Sequence, residues 1–277
     1  MSKKSVLARA ADKLNHNALL WSKQAVQAMR STQCRDLNKR VAFVAGVQRS
    51  GTNMLMDVLE RCYETDVYHE RDNRAFDDYE MRPRHVIHEL VNGSNAPLVI
   101  FKALCELQDV GKLLDEFAPA KALWIVRSFE DVVNSHLAIW TGMPSSIRAI
   151  AVDRNSAAWR GRGMSDETHA LVRDLYHDDI SNASACALFW YFRNALFFEQ
   201  GLDRDGRVCL IRYESLVTEP SPQFSRVFDF LGLEYSHRFA KGVSSGSVRK
   251  GRAPLIDPAI RDVCESLAAR FEPLFVS

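Results

Sequence analysis

Three groups of residues in this chain have the types and spacing that bind anions. The first is Arg49, set inside the run Gly46-Val47-Gln48-Arg49-Ser50-Gly51-Thr52-Asn53. The apolar stretch Val41-Ala42-Phe43-Val44 precedes it, and Leu55, Val58, Leu59 and Cys62 follow at helical intervals. Strand, glycine loop and helix in that order form a phosphate cradle, because backbone N–H groups and the positive end of the helix both point at the anion. The spacing approaches the nucleotide loop Gly-x4-Gly-Lys-Ser/Thr, with two departures. Thr52 stands where that motif has lysine, and Asn53 where it has the Mg²⁺-binding hydroxyl. The basic group has moved into the loop, which suits a phosphate-bearing nucleotide without an obligatory metal.

The second group is Arg127, ending the apolar run 122–126, with Ser135 eight residues later on the next helical stretch. A guanidinium at a strand end is well shaped for bidentate phosphate contact. The third is Arg249-Lys250-Gly251, in a segment rich in glycine, serine and basic residues between 242 and 254. Titratable side chains lie close to such strand ends: His69 and Glu70 after Asp66-Val67-Tyr68, Lys102 after Leu98-Val99-Ile100-Phe101, and Tyr213 after Arg212.

The elements that must carry these residues follow from the hydrophobic pattern. Apolar runs at 41–44, 66–70, 98–102, 122–127 and 207–213 read as strands, and helical spacing is expected over 107–117, 129–140, 184–200, 222–231 and 258–271. Alternation of this kind predicts an α/β fold: a parallel central sheet flanked by helices, with the P-loop-like strand-loop-helix at its centre. Ligands on such sheets bind at the carboxyl ends of the strands. Arg71 to Arg84 is charged throughout and reads as a loop or solvated helix. Residues 1–38 are expected to be an N-terminal helical extension, and 39–277 a single α/β domain. The extension is amphipathic over 5–30, suited to packing on the domain, on a second copy as a homodimer, or on a membrane surface.

At 277 residues, 47% hydrophobic and 26% charged, the chain has material for a sizeable core. A net charge of +1 gives no bulk attraction to nucleic acid or membrane, so any anion site is local. The six cysteines form no Cys-x-x-Cys pair, and the eight histidines show no metal-ligand spacing, so neither a disulfide framework nor a metal is expected. No signal peptide is read at the N-terminus, and the longest apolar stretch, 185–198, is interrupted by Arg193 and Asn194. The expectation is a reduced, cytoplasmic protein with no transmembrane segment.

Taken together, the Arg-Ser-Gly-Thr loop, Arg127-x7-Ser135 and Arg249-Lys250-Gly251 resemble, in order and spacing, a nucleotide-dependent sulfotransferase over about 41–254. The resemblance implies 3′-phosphoadenosine-5′-phosphosulfate as sulfuryl donor and 3′,5′-adenosine bisphosphate as product, without a metal. It implies that Arg49, with the N–H groups of Ser50, Gly51, Thr52 and Asn53 and the hydroxyls of Ser50 and Thr52, holds the 5′ end. Arg127, Ser135, Arg249, Lys250 and Gly251 would hold the 3′-phosphate, with Tyr213 near the nucleotide. Lys102 would stabilise charge on the bridging oxygen. Glu70 is the favoured general base by its spacing of 21 residues from Arg49, with His69 the rival. Adjacent strand residues face opposite ways, so only one should enter the site.

The absence of an aromatic residue at Asn53-Met54 brings the chain nearer the carbohydrate and tyrosylprotein branches than the phenol and steroid branch. The acceptor is read as the hydroxyl of a small molecule, lipid or saccharide. Trp140, Trp159, Tyr176 and Trp190 are candidate lining residues, and the arginines of 71–84 are candidate contacts for an anionic acceptor. Two other readings compete. A small-molecule ATP kinase leaves Thr52 and the Arg249 segment unexplained, and a non-catalytic nucleotide-binding module leaves Glu70 and Lys102 without a role.

Overall fold

The computed structural model describes residues 18–29, 39–246, 248 and 251–276. In chain order the strands are Arg40–Ala45 (β1), Thr65–Tyr68 (β2), Phe76–Asp77 (β3), Glu80–Met81 (β4), Leu98–Ala103 (β5), Ala120–Val126 (β6) and Val208–Arg212 (β7). The helices are residues 18–29 (α1), Thr52–Glu60 (α2), Arg84–Gly93 (α3), Val110–Glu116 (α4), Phe129–Leu137 (α5), Met143–Val152 (α6), Asp166–Leu175 (α7), Asn182–Glu199 (α8), Tyr213–Thr218 (α9), Pro220–Leu231 (α10) and Pro258–Phe271 (α11).

Five strands pair in parallel in the order β2-β5-β1-β6-β7, with Ala42 opposite Ile100 on one side and Lys121 on the other. The near-continuous apolar composition of β1, β5 and β6 follows from burial on both faces. Along β1 the side chains divide accordingly. Val41, Phe43 and Ala45 join a core shared with α4, α5, α6, α8 and α11, and Ala42 and Val44 join one shared with α2, α9 and α10. The chain runs outward from β1 to β2, then returns through β5 and crosses to β6, so the loop after β1 lies where the winding reverses. That is where ligand crevices form in open α/β sheets.

The helix α8 is apolar nearly all round because it is buried rather than because it crosses a membrane. Trp190, Arg193 and Asn194 on it are each at most 1% exposed. Among the described residues no helix is long and apolar enough to span a bilayer. The N-terminal helix α1 seats on its own chain: buried Lys23 donates to the Glu60 carbonyl (2.6 Å), and Gln27 donates to the carbonyls of Tyr63 (2.9 Å) and Thr65 (2.8 Å). The residues 5–17 and 30 of the expected amphipathic helix lie outside the described residues.

The structure differs from the sequence reading in three places. The 71–84 segment holds the small antiparallel hairpin β3–β4 and ends in α3, a helix whose charged sequence buries only Ile87 and Val91. The second strand stops at Tyr68, leaving His69 and Glu70 beyond it. The fifth parallel strand stops at Arg212, so Tyr213 begins a helix.

Candidate active site

Each of the five parallel strands delivers one of the side chains expected at the site to a single cavity of about 1050 Å³. Arg49 follows β1, Glu70 follows β2, Lys102 lies near the end of β5, Arg127 follows β6 and Tyr213 follows β7, and all five line it. This convergence comes from the parallel topology, which puts every carboxyl end on one edge of the sheet.

The phosphate loop is shaped by its backbone. Gly51, at φ 97°, precedes α2, and no side chain caps that helix end. The first N–H groups of an α-helix lack intrahelical partners, so an anion here meets donors and the positive helix end together. A Cβ on Gly51 would lie 2.3 Å from the Tyr213 ring, so that position has no room for a side chain. Thr52 and Asn53 line the cavity. The Ser50 hydroxyl, by contrast, is fully buried, and its N–H is spent on the Val47 carbonyl (3.0 Å).

Arg49 adopts φ 73° and its Nε donates to the Ser135 hydroxyl (2.9 Å). Arg127 is nearly buried and held from several sides. Its guanidinium donates to the Arg49 carbonyl (3.1 Å), lies 3.6 Å from the Asp131 carboxylate and stacks 4.5 Å over the Tyr213 ring. The Trp190 indole N–H donates to the Arg127 carbonyl (3.0 Å), fixing the strand end. Arg49, Ser135, Arg127 and Tyr213 therefore form one connected group. Gly251 lies against Asn134, where a Cβ would come within 2.6 Å of Asn134 Nδ2, and Asn134 donates to the Arg252 carbonyl (3.1 Å). Arg249 and Lys250 lie outside the described residues.

On the other side of the loop, Lys102 donates to Glu70 Oε2 (2.6 Å) and to Asn53 Oδ1. Lys102 is 2% exposed. Burial pushes its pKa below the usual lysine range despite the carboxylate beside it. Burial would raise the Glu70 pKa, but the Lys102 charge and hydrogen bond outweigh it and hold it below the usual range. Glu70 is therefore an ionised acceptor at neutral pH.

His69 turns the other way. It lies 3.7 Å from Glu60, away from the cavity. Burial alone would lower its pKa, but the Glu60 hydrogen bond and charge raise it above 6.5.

Several residues that line the cavity left no sequence signal. Asn134, which tethers the 251–252 segment, and His136 both sit on α5 beside Ser135 and are brought in by packing. The His136 Nε2 faces the Gln48 carbonyl (3.2 Å), and burial lowers its pKa to about 4, so the ring is neutral. A backbone signal is clearer. Among the described residues the non-glycine positions with positive φ are Arg49, Asp78, Tyr79 and Ala158, and every one of them lines this cavity. Such conformations cost free energy and cluster at functional sites. A second cavity of about 670 Å³ adjoins the first and shares Arg127, Asp131, Asn134 and Gly251 with it.

The family model described as a sulfotransferase domain matches residues 39–250, three quarters of the chain and all five strands of the sheet. The chain belongs to the sulfotransferase family. It is an enzyme of that family, so the sheet edge and cavity described above are those of a sulfotransferase. A solved structure shares the fold. The sulfotransferase domain of the Synechococcus PCC 7002 olefin synthase shares 14% identity at a TM-score of 0.52, over 83% of this chain and 94% of that one. Mouse sulfotransferase SULT7A1, complexed with PAP, shares 18% identity at a TM-score of 0.44, over 85% of this chain and 83% of that one. The Alicyclobacillus acidocaldarius sulfotransferase shares 17% identity at 0.44, over 84% and 91%. No curated protein matches the chain in sequence. Among the described residues of this sulfotransferase, no group of His, Cys, Asp and Glu side chains has a metal-binding arrangement.

Proposed function

We propose that this sulfotransferase moves a sulfuryl group from 3′-phosphoadenosine-5′-phosphosulfate to an acceptor hydroxyl, in line, with Glu70 as general base. The observation that carries the reading is the Lys102–Glu70 pair, 2.6 Å apart, set beside the uncapped end of α2 in one cavity with Arg49. An ionised carboxylate at that position accepts the acceptor's proton as the new S–O bond forms. The buried ammonium of Lys102 can then follow the charge that develops on the departing bridging oxygen, as fixed cations do in phosphoryl transfer.

The residues present fit such a donor. When bound, it supplies an activated sulfuryl group and two phosphate anions. Arg49, Thr52 and the N–H groups at the start of α2 suit the 5′ end, and Arg127, Ser135 and the Gly251 segment suit the 3′-phosphate. The adjoining cavities, joined at Arg127 and Asn134, offer the elongated space that a nucleotide with anions at both ends requires. In SULT7A1 the bound group is PAP, which supports the same nucleotide here.

Calorimetry with 3′,5′-adenosine bisphosphate and with ATP, each with and without Mg²⁺, tests the donor. Tight binding of the bisphosphate, unchanged by Mg²⁺ and stronger than that of ATP, is expected. Preference for ATP with Mg²⁺ would overturn the donor assignment.

A further inference from the structure

The loop after β1 contains a strained residue, and a side chain from α5 keeps it so. The Ser50 N–H closes a turn on the Val47 carbonyl (3.0 Å), with Gln48 and Arg49 as its central residues. Of those two only Arg49 has positive φ, 73°. That combination is a type II turn, whose third position favours glycine or asparagine. An arginine there costs free energy and persists only where its surroundings fix it. Type I and type II turns differ by a flip of the central peptide, here the one joining Gln48 to Arg49. Because that peptide is planar, its N–H and carbonyl exchange sides together. Whatever holds the Gln48 carbonyl therefore sets the backbone of Arg49 and the direction in which its side chain leaves the loop.

The group that holds it is His136. Its Nε2 lies 3.2 Å from the Gln48 carbonyl, and a carbonyl can only accept, so the ring proton is on Nε2. Burial lowers the pKa to about 4, so the neutral ring leaves Nδ1 with a lone pair and no proton. That nitrogen is buried and has no hydrogen-bond partner among the described residues. An unpaired buried acceptor is destabilising. The ring's other neighbours are aromatic: Trp140 stands edge-on at 5.2 Å and Phe189 lies at 6.0 Å. A phenylalanine would keep those contacts without the stranded nitrogen. Packing alone therefore disfavours histidine here, and what the histidine adds is the N–H that meets the loop.

We infer that His136 is a positioning residue: its Nε2–H holds the Gln48–Arg49 peptide in the orientation that presents Arg49 to the sulfuryl donor. This rests on the donor reading above. The other holds on Arg49 come from groups that the same reading assigns to phosphate. Its Nε donates to the Ser135 hydroxyl (2.9 Å), and its carbonyl accepts from Arg127 (3.1 Å). His136 is 1% exposed and turned to the backbone, so its bond stays in place when an anion engages those two.

The test compares His136→Phe, which keeps a ring and loses the N–H, with His136→Gln, whose side-chain amide carries an N–H at a similar reach. Calorimetry should show bisphosphate binding about tenfold weaker in His136→Phe and within about threefold of wild type in His136→Gln. The Tm of His136→Phe should equal or exceed that of wild type, because the aromatic contacts remain and the unpaired nitrogen is gone; a histidine with only a structural role would lower Tm and leave affinity unchanged. Nitrogen NMR of the wild-type chain should place the His136 proton on Nε2, a result that needs neither variant nor ligand. A proton on Nδ1, or wild-type bisphosphate affinity in His136→Phe, would overturn the assignment. Failure of the wild-type chain to bind bisphosphate would count against the donor reading instead. The Arg49 amide resonance then decides this inference: it should move in His136→Phe and return in His136→Gln, and an unmoved resonance would sink it.

Discussion

At the residue scale the central question is which of two neighbours takes the proton. His69 and Glu70 lie just beyond β2, and the chain there turns them to different partners. Glu70 reaches Lys102, whereas His69 faces Glu60. Removing the Glu70 charge while keeping its shape, in Glu70→Gln, should lower kcat by about 10² to 10⁴-fold, the usual contribution of a general base. Bisphosphate affinity by calorimetry should stay unchanged, and a loss of donor binding would move Glu70 out of the base role.

The pH profile separates the two candidates independently. A base is active once deprotonated. With Glu70 held below the ordinary carboxylate value of 4.5, the acid limb of kcat/KM should lie below that pH. With His69 as base the limb would lie above 6.5, since that residue's pKa is raised. An acid limb near neutrality would transfer the role to His69.

At the scale of elements, the strained hairpin needs an anchor, and Glu106 supplies it. This carboxylate, three residues past β5 and 8% exposed, accepts the Met81 N–H (2.6 Å). Burial pushes its pKa up to about 7, against the lowering effects of that hydrogen bond and of the Arg193 charge. A carboxyl raised above its unfolded value stabilises the fold fully below about 4.5, and that contribution is lost as pH rises through about 7. Glu106→Gln keeps the acceptor and removes the ionisation. It should therefore be more stable than wild type at about pH 8, by about 1–3 kcal/mol, and no more stable at about pH 5. Thermal melts at the two pH values check this, and equal effects at both would remove Glu106 as the titrating anchor.

At the scale of the whole molecule, one parallel sheet collects the proposed site residues on a single edge, and the N-terminal helix braces the turn that leads into β2. Lys23 and Gln27, 3% and 6% exposed, spend their hydrogen bonds on that turn. We expect a chain starting at residue 39 to fold with Tm lower by about 5–10 °C, from the loss of a few buried hydrogen bonds. Its bisphosphate affinity should stay within about threefold of the parent, because all the proposed donor residues lie after residue 39. Collapse of donor binding on truncation, measured by calorimetry, would mean that the helix belongs to the catalytic domain.

Much of this protein is written locally. The phosphate loop, its strand and its helix are contiguous, so composition and spacing alone determine them. Arg127 and Ser135 are likewise legible because they span one strand end and the following helix. The apolar runs of β1, β5 and β6 announce a buried parallel sheet, and from that sheet the edge that carries the cavity follows.

The rest required the third dimension. Two-residue strands such as β3 and β4 have no periodicity to read. In α3 the helical signal is Val86, Ile87, Leu90 and Val91 after Pro83, which the surrounding charges obscure. Whether His69 or Glu70 faces the cavity depends on a lysine and a glutamate from other elements, Lys102 and Glu60, rather than on strand alternation. The arginines of 71–84 look like one basic surface in sequence, yet Arg74 is taken up by its neighbour Asp72 and Arg84 by Glu116 at the end of α4, and these contacts decide which charge stays with the cavity. Sequence determined which donors and which helix end the loop after β1 presents, because both are local. Tertiary structure decided which side chains meet there, because packing brings together residues far apart in the chain.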